Sequence, residues 1–261
     1  MLVSGAPGAA SSPRRVDPHH DLVRHVGGDA LELASTAPTV VCSDALAGAR
    51  ALAAEGCDLM IIADGRMGEQ LRADRRVVVA DARRGQGNRF VVPAGPVRAP
   101  VTAMLREAHV MVRLNEGDAA DRLVRLASRA ARPVVEARTR LPAGSVPMRP
   151  VMALAAVRDN EGFFDSLRRA GAEIAVAKGF PDGHLYAPDE LADLESVAAA
   201  GDLAVLTTRR DLNMLRQAGP AAEPLLARTR ALAPEVTFDP AGALEALVRD
   251  AVADWRARLS V

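Results

Sequence analysis

A chain of 261 residues with 33 basic and 33 acidic side chains has no bulk charge to recruit nucleic acid or an anionic membrane. Its 49 % hydrophobic and 25 % charged content is globular rather than disordered, and two cysteines, Cys42 and Cys57, make neither a disulfide framework nor a metal site. No run reaches the roughly 18 apolar residues of a membrane span, and the start MLVSGAPGAASSPRR lacks the basic and apolar segments of a signal peptide, so a cytoplasmic protein is expected.

The first predicted strand is Thr39–Cys42, followed by a helix over Asp44–Glu55 and strands at Asp58–Ile62 and Arg76–Ala80. Leu59–Ile62 and Val77–Ala80 are continuously apolar, the pattern of strands covered on both faces. A helix at Val101–Glu107, a strand at His109–Arg113, a helix at Asp118–Ala131 and a strand at Pro133–Glu136 follow. Alternation of this kind predicts a parallel, doubly wound sheet whose ligands sit beyond the carboxyl ends of the strands. The segment Leu141–Pro150 (LPAGSVPMRP), with three prolines and a glycine, reads as a hinge.

Beyond it the alternation restarts: strand Val151–Ala155, helix Glu161–Ala170, strand Glu173–Ala177, helix Pro188–Ala199, strand Leu203–Thr207 and helix Arg210–Gln217. A late strand at Glu235–Phe238 precedes a final helix, Ala241–Leu259, with Asp239 as its N-cap and Pro240 in its first turn. The expected fold is two α/β/α domains with mostly parallel sheets, residues 1–140 and 151–261, joined by the hinge.

Candidate chemistry concentrates at the strand ends. Asp81–Pro100 (DARRGQGNRFVVPAGPVRAP) follows a β-rich run and combines glycines, prolines and arginines. Gly85 and Gly87 permit positive φ or close approach, and Arg83, Arg84, Arg89 and Arg98 offer guanidinium forks for phosphate or carboxylate, or else a solvated crossover. Asp64, after a buried strand, suits either coordination of a metal or a nucleotide-bound water, or an Asx-turn with Gly65. Asp182 and His184 in FPDGHLY form either an acid–base pair or a plain turn. Asp211 in LTTRRD either caps the next helix or faces the cleft. Asp17, His19, His20 and His25 lack regular metal-ligand spacing and read as a polar loop. Lys178 is the single lysine, and no G-x-x-x-x-G-K-[ST] occurs in these residues.

Read together, these segments resemble the tetraacyldisaccharide 4′-kinase (lipid A 4′-kinase) family. Its pattern includes D-D-G-[LF]-Q-H, V-D-A-x-R-x-x-G-N-G-x-L-L-P-A-G-P-L-R-E-P, A-F-A-G-I-x-x-P-x-x-F-F, F-x-D-H-H-x-Y and T-x-K-D. The counterparts are Ala63–Gly68, Asp81–Pro100, Ala153–Phe164, Phe180–Tyr186 and Thr207–Asp211. Upstream, Val3–Gly8 is similar to S-R-G-Y-G, and Val26–Ala34 to V-G-D-E-P-x-L-L-A.

The resemblance implies a P-loop-kinase-like core and a smaller second domain. The implied reaction transfers the γ-phosphate of ATP, with Mg²⁺, to the 4′-hydroxyl of a lipid A disaccharide precursor at the cytoplasmic face of the inner membrane. It assigns Asp29, Asp182 and His184 to catalysis, Asp64 to nucleotide and Mg²⁺, Asp211 to the nucleotide, and Asn88 and Arg98 to substrate. The family's N-terminal portion, with its membrane-associating helix and P-loop, would precede Met1. Departures fall on charged positions. The D-D pair is Ala63-Asp64, and the Gln-His after it is Met67-Gly68. The aspartate of G-D-E-P falls on Gly28, the first histidine of D-H-H on Gly183, the lysine of T-x-K-D on Arg210, and the glutamate of R-E-P on Ala99. Two readings follow: a 4′-kinase family member whose P-loop portion lies upstream, or a non-catalytic homologue whose scaffold binds a partner or sugar phosphate or keeps no role. For the chain as written, no turnover is the expectation.

Overall fold

The computed structural model describes residues 1–3, 11–63, 71–95, 97 and 99–259. In chain order the first elements are β1 (Leu2–Val3), β2 (Arg14–Arg15), α1 (Val23–Val26), α2 (Gly28–Ala34), β3 (Val40–Val41), α3 (Ala45–Ala54) and β4 (Ile62–Ala63). Next come β5 (Val77–Asp81), α4 (Val101–Glu107), β6 (Val110–Leu114), α5 (Asp121–Arg129) and β7 (Val134–Arg140). The last are β8 (Val151–Ala155), α6 (Asn160–Arg169), β9 (Ile174–Gly179), α7 (Pro188–Ala200), β10 (Ala204–Thr208), α8 (Arg209–Arg216), α9 (Glu223–Ala227), β11 (Thr229–Leu232), β12 (Glu235–Asp239) and α10 (Ala243–Leu259).

Among the described residues the strands form three four-stranded sheets, ordered β2-β3-β1-β4, β11-β10-β8-β9 and β12-β7-β6-β5. Pairing is parallel except for β2 with β3 and β12 with β7. The expected mostly parallel α/β fold is therefore present.

Local sequence explains the better-defined elements. Asp44 starts α3 by accepting from the amides of Leu46 (2.9 Å) and Ala47 (3.2 Å). The buried face of α3, with Ala45, Ala49 and Leu52, packs on Leu2 and Val40. A side chain at Gly48 would stand 2.4 Å from Leu2 Cδ1, so glycine there lets helix and sheet approach. Strand β8 is wholly buried, as its unbroken VMALA predicts, with Phe164 and Leu167 of α6 against Val151, Ala153 and Ala155. Met152 and Leu154 face the opposite cluster, with Leu191 and Leu194 of α7 and Leu215 of α8.

The same pattern misleads for β5 and for the approach to β4. Leu59, Ile61, Val77 and Val79 are exposed, because β5 and β4 are edge strands in their sheets. Strand β4 also begins only at Ile62, where Asp58–Ile62 is predicted to end. Asp239 ends β12 opposite Glu136 and is not a helix cap; α10 begins only at Ala243.

The chain divides into two compact units, Met1–Arg72 with Leu141–Ala233 and Ala73–Arg140 with Pro234–Val261. This differs from a single cut at 141–150 into 1–140 and 151–261. In the first unit α2 lies against α8, and Val23 packs into the cluster of Met214 and Leu215. In the second, β12 returns to pair antiparallel with β7, from Glu235 opposite Arg140 to Asp239 opposite Glu136. Its α10 is tied to the start of the unit through Arg75–Asp254 (2.6 Å) and Arg258–Asp74.

Candidate functional site

In the first unit the carboxyl ends of β8, β9 and β10 meet the amino end of α8, and Asp211 sits at their junction. Its Oδ2 accepts from the Ala156 amide (3.0 Å), just past β8, and from the Thr208 hydroxyl (2.9 Å). The Asp211 amide donates in turn to Thr208 Oγ1 (3.1 Å), so residue and N-cap hold each other. Asp211 is fully buried. Burial pushes its carboxyl above the ordinary aspartate range, against the opposing hydrogen bonds from Ala156 and Thr208. Its Oδ1, the Thr207 hydroxyl and the Tyr186 hydroxyl are buried without a hydrogen-bond partner among the described residues. The Tyr186 phenol is pushed strongly upward, chiefly by burial, then by the charges of Asp211 and Glu190.

Beside Asp211, Arg210 reaches between the first turn of α2 and the loop after β9. Its guanidinium pairs with Asp182 Oδ1 at 3.1 Å and Asp29 Oδ1 at 3.4 Å. Asp182 also faces Arg158 Nε at 3.9 Å. The arginine stem crosses Gly28, where an added Cβ would stand 2.8 Å from Arg210 Cγ and 2.9 Å from its Nε. Gly183, at φ +74° and donating to the Ala156 carbonyl at 2.9 Å, would place a Cβ 3.6 Å from Arg210 Nη2. Glu32, one turn along α2 from Asp29, has its carboxyl pushed up by burial and then by the Asp29 charge. Gly28→Ala is therefore expected to cost roughly 1–3 kcal/mol through overpacking. In an Arg210→Ala background most of that cost should disappear. Denaturant melts of the two single variants and the double variant check the coupling, and additive costs would show that the two positions act independently.

Asp182 does not orient His184. The His184 Nε2 lies 2.9 Å from Glu190 Oε2, and Glu190 also accepts from the Ala187 amide at 2.8 Å, holding the start of α7. The Ala187 bond, followed by that from His184, draws the Glu190 carboxyl below its ordinary range. The imidazole stacks on Phe180 (ring centroids 4.7 Å, 18° between planes) and meets Tyr186 edge-on (5.2 Å, 88°). His184 and Asp182 are thus neighbours in sequence with separate partners, because Gly183 turns the chain between them.

In the second unit, the segment after β5 keeps the expected glycine geometry, with Gly85 at φ +59° and Gly87 at +57°. Asn88 folds this segment on itself: its Nδ2 donates to the Ala94 carbonyl (2.9 Å) and its Oδ1 accepts from the Phe90 amide (3.1 Å). A Cβ on Gly95 would lie 2.1 Å from Asn88 Oδ1 and 2.4 Å from the Phe90 carbonyl. Asp64 and Arg98 lie outside the described residues, as does most of Val3–Gly8. Asp17 pairs with His20 Nδ1 at 2.7 Å within its own loop. No group of three or more His, Cys, Asp or Glu suited to a metal occurs among the described residues.

The sequence profile of the family described as tetraacyldisaccharide-1-P 4′-kinase matches residues 3–253. The chain belongs to the tetraacyldisaccharide 4′-kinase family. A 4′-kinase of Mesorhizobium japonicum is 39% identical over 260 residues, covering 99% of this chain and 76% of that protein. Its counterpart in Rhizobium meliloti is 42% identical over 259 residues, with 99% and 75% covered. Among solved structures, LpxK from Aquifex aeolicus in complex with ATP superposes with a TM-score of 0.66 at 19% identity, over 96% of this chain and 78% of that one. That likeness establishes a shared α/β fold.

The 4′-kinase family acts in lipid A biosynthesis on a disaccharide precursor. Against its pattern, the Asp→Gly28, His→Gly183 and Lys→Arg210 departures prove to be spatial neighbours rather than scattered losses. Sequence reasoning treated them one by one. The available signal was volume: two side chains shrink to glycine where a third grows. It also missed α1 and α2, whose Gly27-Gly28 pair hides a helical segment held to α8 by Gln217, which accepts from the Val23 amide at 2.6 Å.

Proposed function

We propose that this chain is a tetraacyldisaccharide 4′-kinase family protein that engages a lipid A disaccharide precursor at the cytoplasmic face of the inner membrane without phosphorylating its 4′-hydroxyl. Arg210 carries this conclusion. Phosphoryl transfer needs a positioned acceptor for the hydroxyl proton and groups that neutralise the transferring phosphate. Where the family pattern has an aspartate and a histidine, this chain has Gly28 and Gly183, and the arm of Arg210 fills the space against them. Asp29 and Asp182, the carboxylates left beside those positions, are both drawn to the same guanidinium. His184 is committed to Glu190, and Asp211 is buried as the brace between β8 and α8. None of these groups is disposed to take a proton from a sugar hydroxyl.

ATP with Mg²⁺ is the family's donor, and the Aquifex aeolicus neighbour was solved with ATP. Asp64, the residue assigned to the metal, is outside the described residues. The described carboxylates do not supply a Mg²⁺ donor set: Asp211 is buried with one oxygen doubly engaged, and Asp29 and Asp182 face arginine. The described part of the site therefore does not fit the nucleotide–metal group.

Retention of the precursor rests on the Asp81–Pro100 segment, where Gly87, Asn88, Gly95 and the prolines of the family pattern persist, Arg89 standing at its remaining glycine, and Asn88 shapes the turn internally. Arg98 is the proposed contact to the precursor, with Asn88 supporting it. Equilibrium binding of labelled precursor in detergent micelles tests this, with saturable binding expected for the chain and loss expected for folded Gly95→Ala. Absence of saturable binding would overturn it. About 40% identity to named kinases favours a second reading, in which the chain itself turns over; direct assay of phosphate transfer separates the two.

A further inference from the structure

We propose that the turn at Arg89–Val92 is a lipid-surface anchor that inserts its apolar tip into an anionic bilayer. Phe90, Val91 and Val92 are consecutive and exposed, at 64, 36 and 52 % of their surface. Three exposed apolar residues in a row are an error in a soluble protein unless something covers them. The tip is held open rather than left to collapse. Val92 donates to the Val97 carbonyl (2.8 Å), Val97 to the Phe90 carbonyl (3.1 Å) and Ala94 to the Val91 carbonyl (2.9 Å), while Asn88 clamps the base from inside. Backbone groups that hydrogen-bond within the turn do not have to be stripped of water when the side chains enter an interface.

Charge selects the occupant. The whole chain is balanced, yet Ala82–Arg106 carries five arginines and no aspartate or glutamate. Arg84 and Arg89 are exposed on the segment that bears the tip. An aromatic–aliphatic tip rimmed by arginine matches the interfacial zone of an anionic membrane, where apolar groups reach the acyl boundary and cations meet headgroups. A soluble protein partner would cover the apolar residues but would leave the one-sided charge without a reason. The anchor deepens the membrane-surface assignment of the proposed function and rests on that assignment for the choice of a bilayer. It is independent of whether phosphate is transferred.

Cosedimentation with phosphatidylglycerol–phosphatidylethanolamine vesicles at low salt tests the anchor. The unaltered chain should bind, and less so with more salt. The Phe90→Asp/Val92→Asp variant should bind at least about tenfold more weakly, and Arg84→Gln/Arg89→Asn weaker by about fivefold per arginine. All these side chains are exposed, so the variants should keep the parent melting temperature. If they do not, Phe90→Trp in a Trp255→Phe chain provides the readout, its emission expected to shift blue on adding vesicles. No vesicle binding by the unaltered chain, equal binding by the loop variants, or no blue shift would each overturn the anchor. Self-association or protein binding lost in the Phe90→Asp/Val92→Asp variant, without vesicle binding, would assign the tip to a protein surface instead. Precursor binding in micelles that persists in the Phe90→Asp/Val92→Asp variant would leave the proposed function standing.

Discussion

Asp211→Ala is expected to lower the stability of the chain by roughly 3–5 kcal/mol, enough to unfold much of a marginally stable protein. The substitution removes a carboxylate oxygen that two buried donors share, the Ala156 amide and the Thr208 hydroxyl, and it leaves both without their acceptor. Hydrogen bonds to a charged group contribute about 1.5–3 kcal/mol each, and the orphaned donors add a desolvation cost. The brace joins the end of β8 to the start of α8, so its loss should loosen the Arg210 cluster as well. Urea melts of the two proteins check the size of the effect, and a cost below about 1 kcal/mol would mean that the brace contributes little.

The same residue sets a pH dependence. Burial holds the folded carboxyl above its unfolded value, so between the two values the folded state keeps a proton that the unfolded chain releases. The group's contribution is then greatest below about pH 4 and is lost as pH rises through the folded value. Asp211→Asn does not titrate and should flatten that fall. Urea melts from pH 4 to 7 should show the parent losing stability relative to Asp211→Asn as pH rises, whereas parallel curves would contradict the assignment.

Much of the fold was legible in the chain. Val151–Ala155 and Val101–Glu107 read directly as strand and helix, because an unbroken apolar run between turn signals and a compact helical patch leave few other solutions. The grouping of segments was not legible. Nothing in Glu235–Asp239 states that it pairs with β7 rather than with the sheet it follows, and strand partners are set by long-range packing that local pattern does not encode. Burial failed in the same way at Val77 and Val79, since an edge strand and a central one share the same letters. In the site, the positive φ of Gly85 and Gly87 was readable from residue type. The partners of Asp182 and His184 were not, because Gly183 sends adjacent side chains to Arg210 and Glu190 respectively.

The second large effect concerns turnover. Losing a general base alone typically costs 10²–10⁴-fold in rate, and here the replacement is coupled to its surroundings. Gly28→Asp would drive a Cβ to within 2.8 Å of Arg210 Cγ. Gly183→His would put a ring on a backbone at φ +74°, its Cβ already 3.6 Å from Arg210 Nη2. Neither single reversion is expected to restore transfer, because each must displace an arginine that two carboxylates hold. The central claim is therefore absence of phosphoryl transfer by a folded chain that still belongs to the family.

Transfer of labelled γ-phosphate from ATP, with Mg²⁺, to a lipid A disaccharide precursor in mixed micelles measures it most directly, with the Rhizobium meliloti relative run alongside as the active reference. No labelled product above background from the folded chain is the expected result. Labelled 4′-phosphorylated product above background would contradict the account and return Asp29, Asp182 and His184 to catalysis.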